Sequence, residues 1–338
     1  MNRRCVLART LLLTPVALAL PLIGVCDAQT DSTENWKILE TNSSAEITAA
    51  EIFSLATTLF VDAEGGLWDT WDTSLALNHY ALDIINSRRE PIKNVRFTDI
   101  DYSNDSSGFI CGEQGVLLQT KDWGRNWKQR HFENLDRLYF YGVRFANPLR
   151  GVLCGVSGDE NVRVKGILYT TSDGGDTWQE VEDIPGTGFS SLTFDIPNRW
   201  FVIVALGALL TSDDLGKTWK YTRIPDGELI RSVLLDEKRG IAVGMQGRLI
   251  STRDGGASWQ EGESPGEGNL LATFRYAPGH WYIAGGGGQV WETRDSGETW
   301  TRLNGPKNVY LNGVKRIGPR LFVWGAEGTI MTLKVGRR

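Results

Sequence analysis

Carboxylates are the commonest chemistry-capable groups in this sequence, with 41 Asp and Glu against 36 Lys and Arg and 3 His. Two carboxylates flanking a glycosidic bond are enough for hydrolysis, one as acid and the other as base or nucleophile. That chemistry stays open, because a sequence gives no separations between acids. Other chemistries find less support. His79, His131 and His280 show no paired spacing and no Cys-x-x-Cys accompanies them, so no metal site is expected. The run GGGG at 285–288 leads into the strand-like QVWET, whereas a phosphate loop leads into a helix N-terminus. No Ser-His-Asp or Cys-His set stands out, and no cofactor is expected.

Five of the acids share one setting, and their spacing decides what they are for. TKDWGRNW, TSDGGDTW, SDDLGKTW, TRDGGASW and TRDSGETW place Asp122, Asp173, Asp214, Asp254 and Asp295 in the pattern Ser/Thr-x-Asp-x-Gly-x-(Thr/Ser/Asn)-Trp. The steps between these Asp are 51, 41, 40 and 41 residues. A fixed period marks a repeat architecture. Within the motif, the Asp carboxylate can accept N–H bonds of its own turn. The Gly can take a positive φ. Trp127, Trp178, Trp219, Trp259 and Trp300 can pack between sheets. All three roles are structural, so these Asp are read as turn-formers and not as catalysts.

The elements between the motifs explain the period. Each motif follows a glycine and a short apolar strand, as in GVLLQT, GRLIST and GQVWET. Before these come second strands such as GFIC, GVLC and GIAV, and first strands such as NVRFTDI and YGVRFAN. Four short strands per unit, separated by turn residues, make one blade of an all-β propeller. A decayed unit around Asp72 keeps the period, and a last unit at 310–335 supplies three strands. ENWKIL near residue 35 resembles RNWKQR after Gly124, so residues 35–40 are expected to close the last blade. From Ile47 to Val335, seven units of about 41 residues fit. The expectation is a seven-bladed β-propeller over 47–338, preceded by an N-terminal segment at 29–46.

These motifs match the Asp-box, or bacterial neuraminidase repeat. The succession of G-x-x-G, apolar strand and T-x-D-G-G-x-T-W, with V-R-F at 95–97 and 143–145, resembles the photosystem II stability/assembly factor family of propellers. The resemblance covers nearly all of the chain after residue 28. It implies a non-catalytic exported scaffold that binds a membrane protein or a membrane-complex intermediate, with a basic patch on the propeller in partner contact. Sialidases, xyloglucanases and sorting receptors carry Asp-boxes too, so a sialidase-like or other glycoside hydrolase and a lectin-like glycan-binding module stay as alternatives. Sialidases need an arginine cluster that begins with Arg-Ile-Pro near the first blade. Here RIP occurs at 223–225, after the third clear Asp-box, and reads as a loop.

The first 28 residues have a basic start, an apolar middle and a small-residue end, as a signal peptide does. Arg3-Arg4 reads as an ordinary basic start or as a twin-arginine signal, and IGVC ending at Cys26 offers a lipidation site. Export to the periplasm is expected, or to the thylakoid lumen in a photosynthetic host, with a membrane tether if Cys26 is lipidated. Cleavage after Ala28 removes Arg3, Arg4, Arg9 and Asp27 and takes the formal net charge from −5 to −7. Nucleic acid, which favours a basic surface, is not an expected partner. A monomer is expected. Cys111 and Cys154 precede glycines in neighbouring units, either as small buried hydrophobes or as a disulfide across blades.

Function on a propeller sits in loops and strand starts held by the rigid scaffold. Lys93, Tyr141, Arg231 and Asn312 each stand two residues before a Val and are read as a ring at the axial mouth, with Arg137 nearby. The loop VSGDENVRVKG, long for its position, carries Asp159, Glu160, Arg163 and Lys165. Lys93, Arg137, Tyr141, Arg163, Lys165, Arg231 and Asn312 are the candidate partner-binding residues, since Arg and Tyr are favoured at interface hot spots.

Overall fold

The computed structural model describes residues 36–86, 88–132, 137–158, 165–182, 184, 189–196, 199–204, 207–225 and 227–336, with the side chains of 189–204 and 228 left aside. These belong to one compact unit, Glu34–Arg338. The expected leader, Cys26 and Arg163 lie outside the described residues.

The unit is built of four-stranded antiparallel sheets, numbered here in chain order of their innermost strands. Those strands are Ile47–Ile52, Phe97–Tyr102, Leu138–Phe145, Phe189–Ile196, Ile230–Asp236, Leu270–Ala277 and Leu311–Ile317. Each packs against the next, and the strand of sheet 7 packs against that of sheet 1, so the sheets close a ring. The reading of seven blades is corrected by the strand order. The chain supplies six complete blades of four consecutive strands, not seven. The remaining sheet is a composite: Leu311–Ile317, Arg320–Gly325 and Ile330–Lys334, edged by a strand of only two residues, Lys37–Ile38. A residue period counts chain length, not strands, and the last repeat stops one strand short. The edge strand is also shorter than the expected 35–40. A separate two-stranded ribbon, Ile84–Ile85 with Pro91–Ile92, joins sheets 1 and 2 and was not foreseen.

The core lies between the sheets. Leu59, Val61 and Leu67 of sheet 1 pack with Phe97, Ile100, Ile110 and Leu118 of sheet 2. Equivalent clusters fill the other gaps, and the Asp-box Trp residues join them. Trp127 packs between sheets 1 and 2, Trp178 between 2 and 3, Trp219 between 3 and 4, Trp259 between 4 and 5, and Trp300 between 5 and 6. Trp36 packs between sheets 6 and 7, so the N-terminal strand brings the aromatic wedge that the last repeat lacks. Burying one large side chain of this kind contributes roughly 2–3 kcal/mol.

The Asp-box turns adopt the expected geometry. In TSDGGDTW, Thr171 Oγ1 donates to Asp173 Oδ1 at 2.8 Å, and Asp173 accepts the Thr177 N–H at 2.9 Å and its hydroxyl at 2.6 Å. Gly175 donates to Thr171 Oγ1 at φ 83°, where a Cβ would come within 2.3 Å of the Phe109 ring. The boxes at Asp122, Asp214, Asp254 and Asp295 repeat these bonds. Hydrogen bonds from Ser258 hold the Asp254 carboxyl down at about 2. At Asp173 burial acts upward, but the Thr177 bonds prevail and again give about 2. Cys111 and Cys154 are buried free thiols, and burial pushes both well above the usual thiol range.

Candidate functional site

Each innermost strand is interrupted near its start. Its pairing with the second strand slips by one residue between Ile47 and Ala49, Phe97 and Asp99, Phe140 and Gly142, Phe189 and Ser191, Ile230 and Ser232, Leu270 and Ala272, and Leu311 and Gly313. A bulge of this kind leaves one residue out of the ladder and re-aims its side chain. Where side chains are described, that residue is Thr48, Thr98, Tyr141, Arg231, Leu271 or Asn312. All six line one cavity of about 450 Å³ between the innermost strands.

In five sheets a glycine of the second strand faces the slip, while sheets 1 and 4 slip in the same way opposite Asp62 and Val204. Gly112, Gly244, Gly285 and Gly325 end the second strands of four sheets, and Gly155 lies within the second strand of a fifth, Gly151–Ser157. A Cβ at these positions would lie 2.2, 2.1, 1.9, 2.1 and 1.9 Å from the carbonyl oxygens of Arg96, Tyr139, Leu229, Asn269 and Tyr310. Only a residue without a Cβ lets the innermost strand approach this closely. The bulge residue itself is under no such constraint.

Of the predicted ring, Tyr141, Arg231 and Asn312 meet in the cavity. Lys93 does not: it is exposed, precedes the first strand of sheet 2, and is absent from the lining. The equivalent residue is Thr98. The V-R-F match behind Lys93 pairs the entry of one strand, Phe97, with the end of another, Phe145. By pairing register Phe97 corresponds to Phe140, since each faces a second-strand glycine, Gly112 or Gly155, and precedes the slip. Counting from that glycine would have found Thr98. Arg137 is exposed just before the first strand of sheet 3, and its carbonyl accepts the Gly158 N–H at 3.1 Å. Lys165 is exposed and ion-paired with Glu180 at 3.0 Å. Arg223, of the RIP tripeptide, ends the outermost strand of sheet 4 and takes no part in the cavity.

Two tiers of polar groups surround the mouth. Glu46 accepts from Arg96 at 2.6 Å and from Asn312 Nδ2 at 2.6 Å, tying sheets 7, 1 and 2 together. The Tyr139 and Tyr141 rings lie 4.6 Å apart, and Tyr310 is 54% exposed. Tyr139 and Tyr310 were missed by sequence, although both stand two residues before a bulge. Three residues beyond the bulges, Lys315, Glu51, Asp101 and Arg144 occupy matching positions on four successive sheets. Lys315 binds Glu51 at 2.7 Å, Arg144 pairs with Asp99, and Phe145 donates its N–H to Asp101 at 2.7 Å. Burial dominates at Asp101, with Arg144 opposing it and Glu51 adding to it, and its carboxyl is pushed up to about 7. Asp99 is raised by burial as well. The arrangement suits recognition of a polar or charged segment. Among the described residues no group of three or more His, Cys, Asp or Glu is placed to hold a metal ion.

Comparison with known proteins places the architecture. The family described as "Photosynthesis system II assembly factor YCF48" matches residues 86–223. Photosystem II assembly lipoprotein Ycf48 of Synechococcus sp. (strain CC9902) is 24% identical over 310 residues, covering 89% of this chain and 88% of the relative. Photosystem II stability/assembly factor HCF136 of Cyanidioschyzon merolae is 28% identical over 318 residues, covering 71% of this chain and 72% of the relative. Among solved structures, YCF48 bound to D1 peptide superposes with TM-score 0.70 at 20% identity over 89% of this chain and 97% of that one. A virginiamycin B lyase from Staphylococcus aureus reaches 0.66 at 12% identity, covering 89% and 99%, so the fold also carries enzymes and does not itself decide the activity. The chain is thus similar, over residues 86–223 and by these relatives, to the photosystem II stability/assembly factors.

Proposed function

We propose that this protein is a non-catalytic exported scaffold that holds a membrane protein, or an intermediate of a membrane complex, at the mouth of its axial cavity. The observation that carries this reading is the convergence of Tyr141, Arg231 and Asn312 on one cavity through equivalent bulges. Exposed Arg137 and Lys165 extend the surface outward, and Tyr139 and Tyr310 add amphipathic area of the kind that dominates interfaces. The relatives are assembly factors, one of them named a lipoprotein and one solved with a D1 peptide. By that likeness the partner is a photosystem II reaction-centre subunit, met on the lumenal or periplasmic side after export of the segment beyond residue 28.

The test is capture from gently solubilised native membranes by the tagged protein, followed by identification of what co-purifies. A stoichiometric membrane protein is expected, and folded Arg137→Glu/Arg231→Glu should retain much less of it. An empty capture that persists after crosslinking would contradict the scaffold reading. Capture unchanged by the double variant would remove these residues from the site.

A further inference from the structure

The cavity is lined by three carboxylates and three cations, one of which, Arg231, stands on a bulge at its mouth. Glu51 of sheet 1 is held by Lys315 of sheet 7 at 2.7 Å, and Asp99 of sheet 2 is paired with Arg144 of sheet 3. Asp101, on the same strand as Asp99, has no such partner. Its Oδ2 accepts the Phe145 N–H at 2.7 Å, and among the described residues no basic side chain makes an ion pair with it. Arg144 acts on it through space only, and Glu51 faces it with the opposite effect. Asp101 is only half-buried, and a carboxylate in that setting with no direct ion pair either takes up a proton or accepts an incoming cation.

We propose that this point of the cavity receives an ammonium or guanidinium group, carried on a Lys or Arg side chain of a partner segment that enters past Tyr141, Arg231 and Asn312. The proposal rests on the scaffold reading for its partner, but the site is defined by this chain alone. The remaining oxygen of Asp101 is the acceptor. Hydroxyl groups of Thr98, Ser232 and Thr273 line the same cavity and offer an uncharged polar wall. A divalent metal fits worse, because Glu51 and Asp99 are already engaged by Lys315 and Arg144.

The pH dependence follows from the same groups. Those facing Asp101 are Glu51 from sheet 1, Arg144 from sheet 3 and Asp99 from its own strand. With its carboxyl at about 7, Asp101 is ready for a cation above neutrality and loses it on acidification. Affinity for a cationic probe should therefore fall by about tenfold per pH unit below that point.

The probes are the peptide acetyl-Gly-Gly-Lys-Gly-Gly-amide, its norleucine counterpart and n-butylammonium, titrated into the full propeller. Binding and the carbon-13 titration of the Asp101 carboxyl are followed together. The expected result is saturable binding of the lysine peptide with a lowered Asp101 midpoint, and binding weaker by on the order of tenfold for the norleucine peptide or for folded Asp101→Asn. Weak n-butylammonium binding with the same midpoint shift also supports the site. Equal binding by the lysine and norleucine peptides, equal binding by Asp101→Asn, or an unmoved midpoint would overturn it. Membrane-protein capture that is intact in both wild type and Asp101→Asn overturns the cation site and spares the scaffold. No capture, with a midpoint that still moves, does the reverse.

Discussion

At the outer turns, sheets 2 to 6 carry one chemistry five times: an Asp bound by its own turn, a glycine in the left-handed region, and a Trp between sheets. At the inner bulges, the same backbone irregularity presents Thr98, Tyr141, Arg231 and Leu271 on sheets 2, 3, 5 and 6. The difference lies in where the backbone requirement falls. In the turn, the Asp, Gly and Trp themselves satisfy the backbone and the core, so changing them costs structure. In the bulge, the requirement falls on the glycine across the ladder, and the bulged side chain is left to vary. A ring of positions that vary on a fixed frame is a surface on which binding can be built.

The comparison breaks most visibly if the glycine is not what holds the bulge. Gly244→Ala sets a Cβ 1.9 Å from the Leu229 carbonyl oxygen, against backbone that cannot swing away. A loss of about 3 kcal/mol or more is expected in urea denaturation. At the outer turns, Asp173→Ala removes bonds to Thr171 and Thr177 in an exposed setting, and about 1 kcal/mol should be lost. Because the folded carboxyl sits at about 2, this contribution is present above about 4, the unfolded value, and is lost as the pH falls toward 2. Acid titration of wild type and variant should therefore converge at low pH.

Asp101 has the opposite sign. Its folded carboxyl is raised to about 7, so wild-type stability declines as the pH rises from about 4 to about 7 and levels off above. Asp101→Asn removes that slope, so it should gain stability over wild type between about pH 4 and about pH 8, read by thermal or urea unfolding at both ends of the range. The smallest expected effect on stability is at the bulge itself. Thr98→Ser, which keeps the hydroxyl bonded to the Phe140 carbonyl at 2.7 Å, and Tyr141→Ala should each change it by about 0.5 kcal/mol or less, because their backbone is fixed from across the ladder. A large loss at either would mean that the bulge residue holds its own geometry.

The outer turns were legible in the sequence because Asp, Gly and Trp are each demanded by local physics and recur every 41 residues or so. The bulges left a fainter mark, the glycine after Cys111, Cys154, Val243, Ala284 and Trp324, and the V-R-F likeness drew attention to Lys93 instead. The composite sheet was legible through Trp36, whose role is that of a box Trp, but not the length of its edge strand. The pairing of Glu51 with Lys315 and of Asp99 with Arg144 was not legible at all. Neither pair has a sequence spacing to reveal it, and only closure of the ring brings Lys315 beside Glu51.

The central claim is that the outer turns hold the propeller and the axial mouth binds. It is tested most directly by quantitative capture from native membranes with three folded forms: wild type, Arg137→Glu/Arg231→Glu, and Lys121→Glu beside the Asp122 box. The account predicts wild-type capture of a membrane protein by Lys121→Glu and a loss on the order of tenfold for the double variant. Equal capture by all three, or a loss confined to Lys121→Glu, would contradict it.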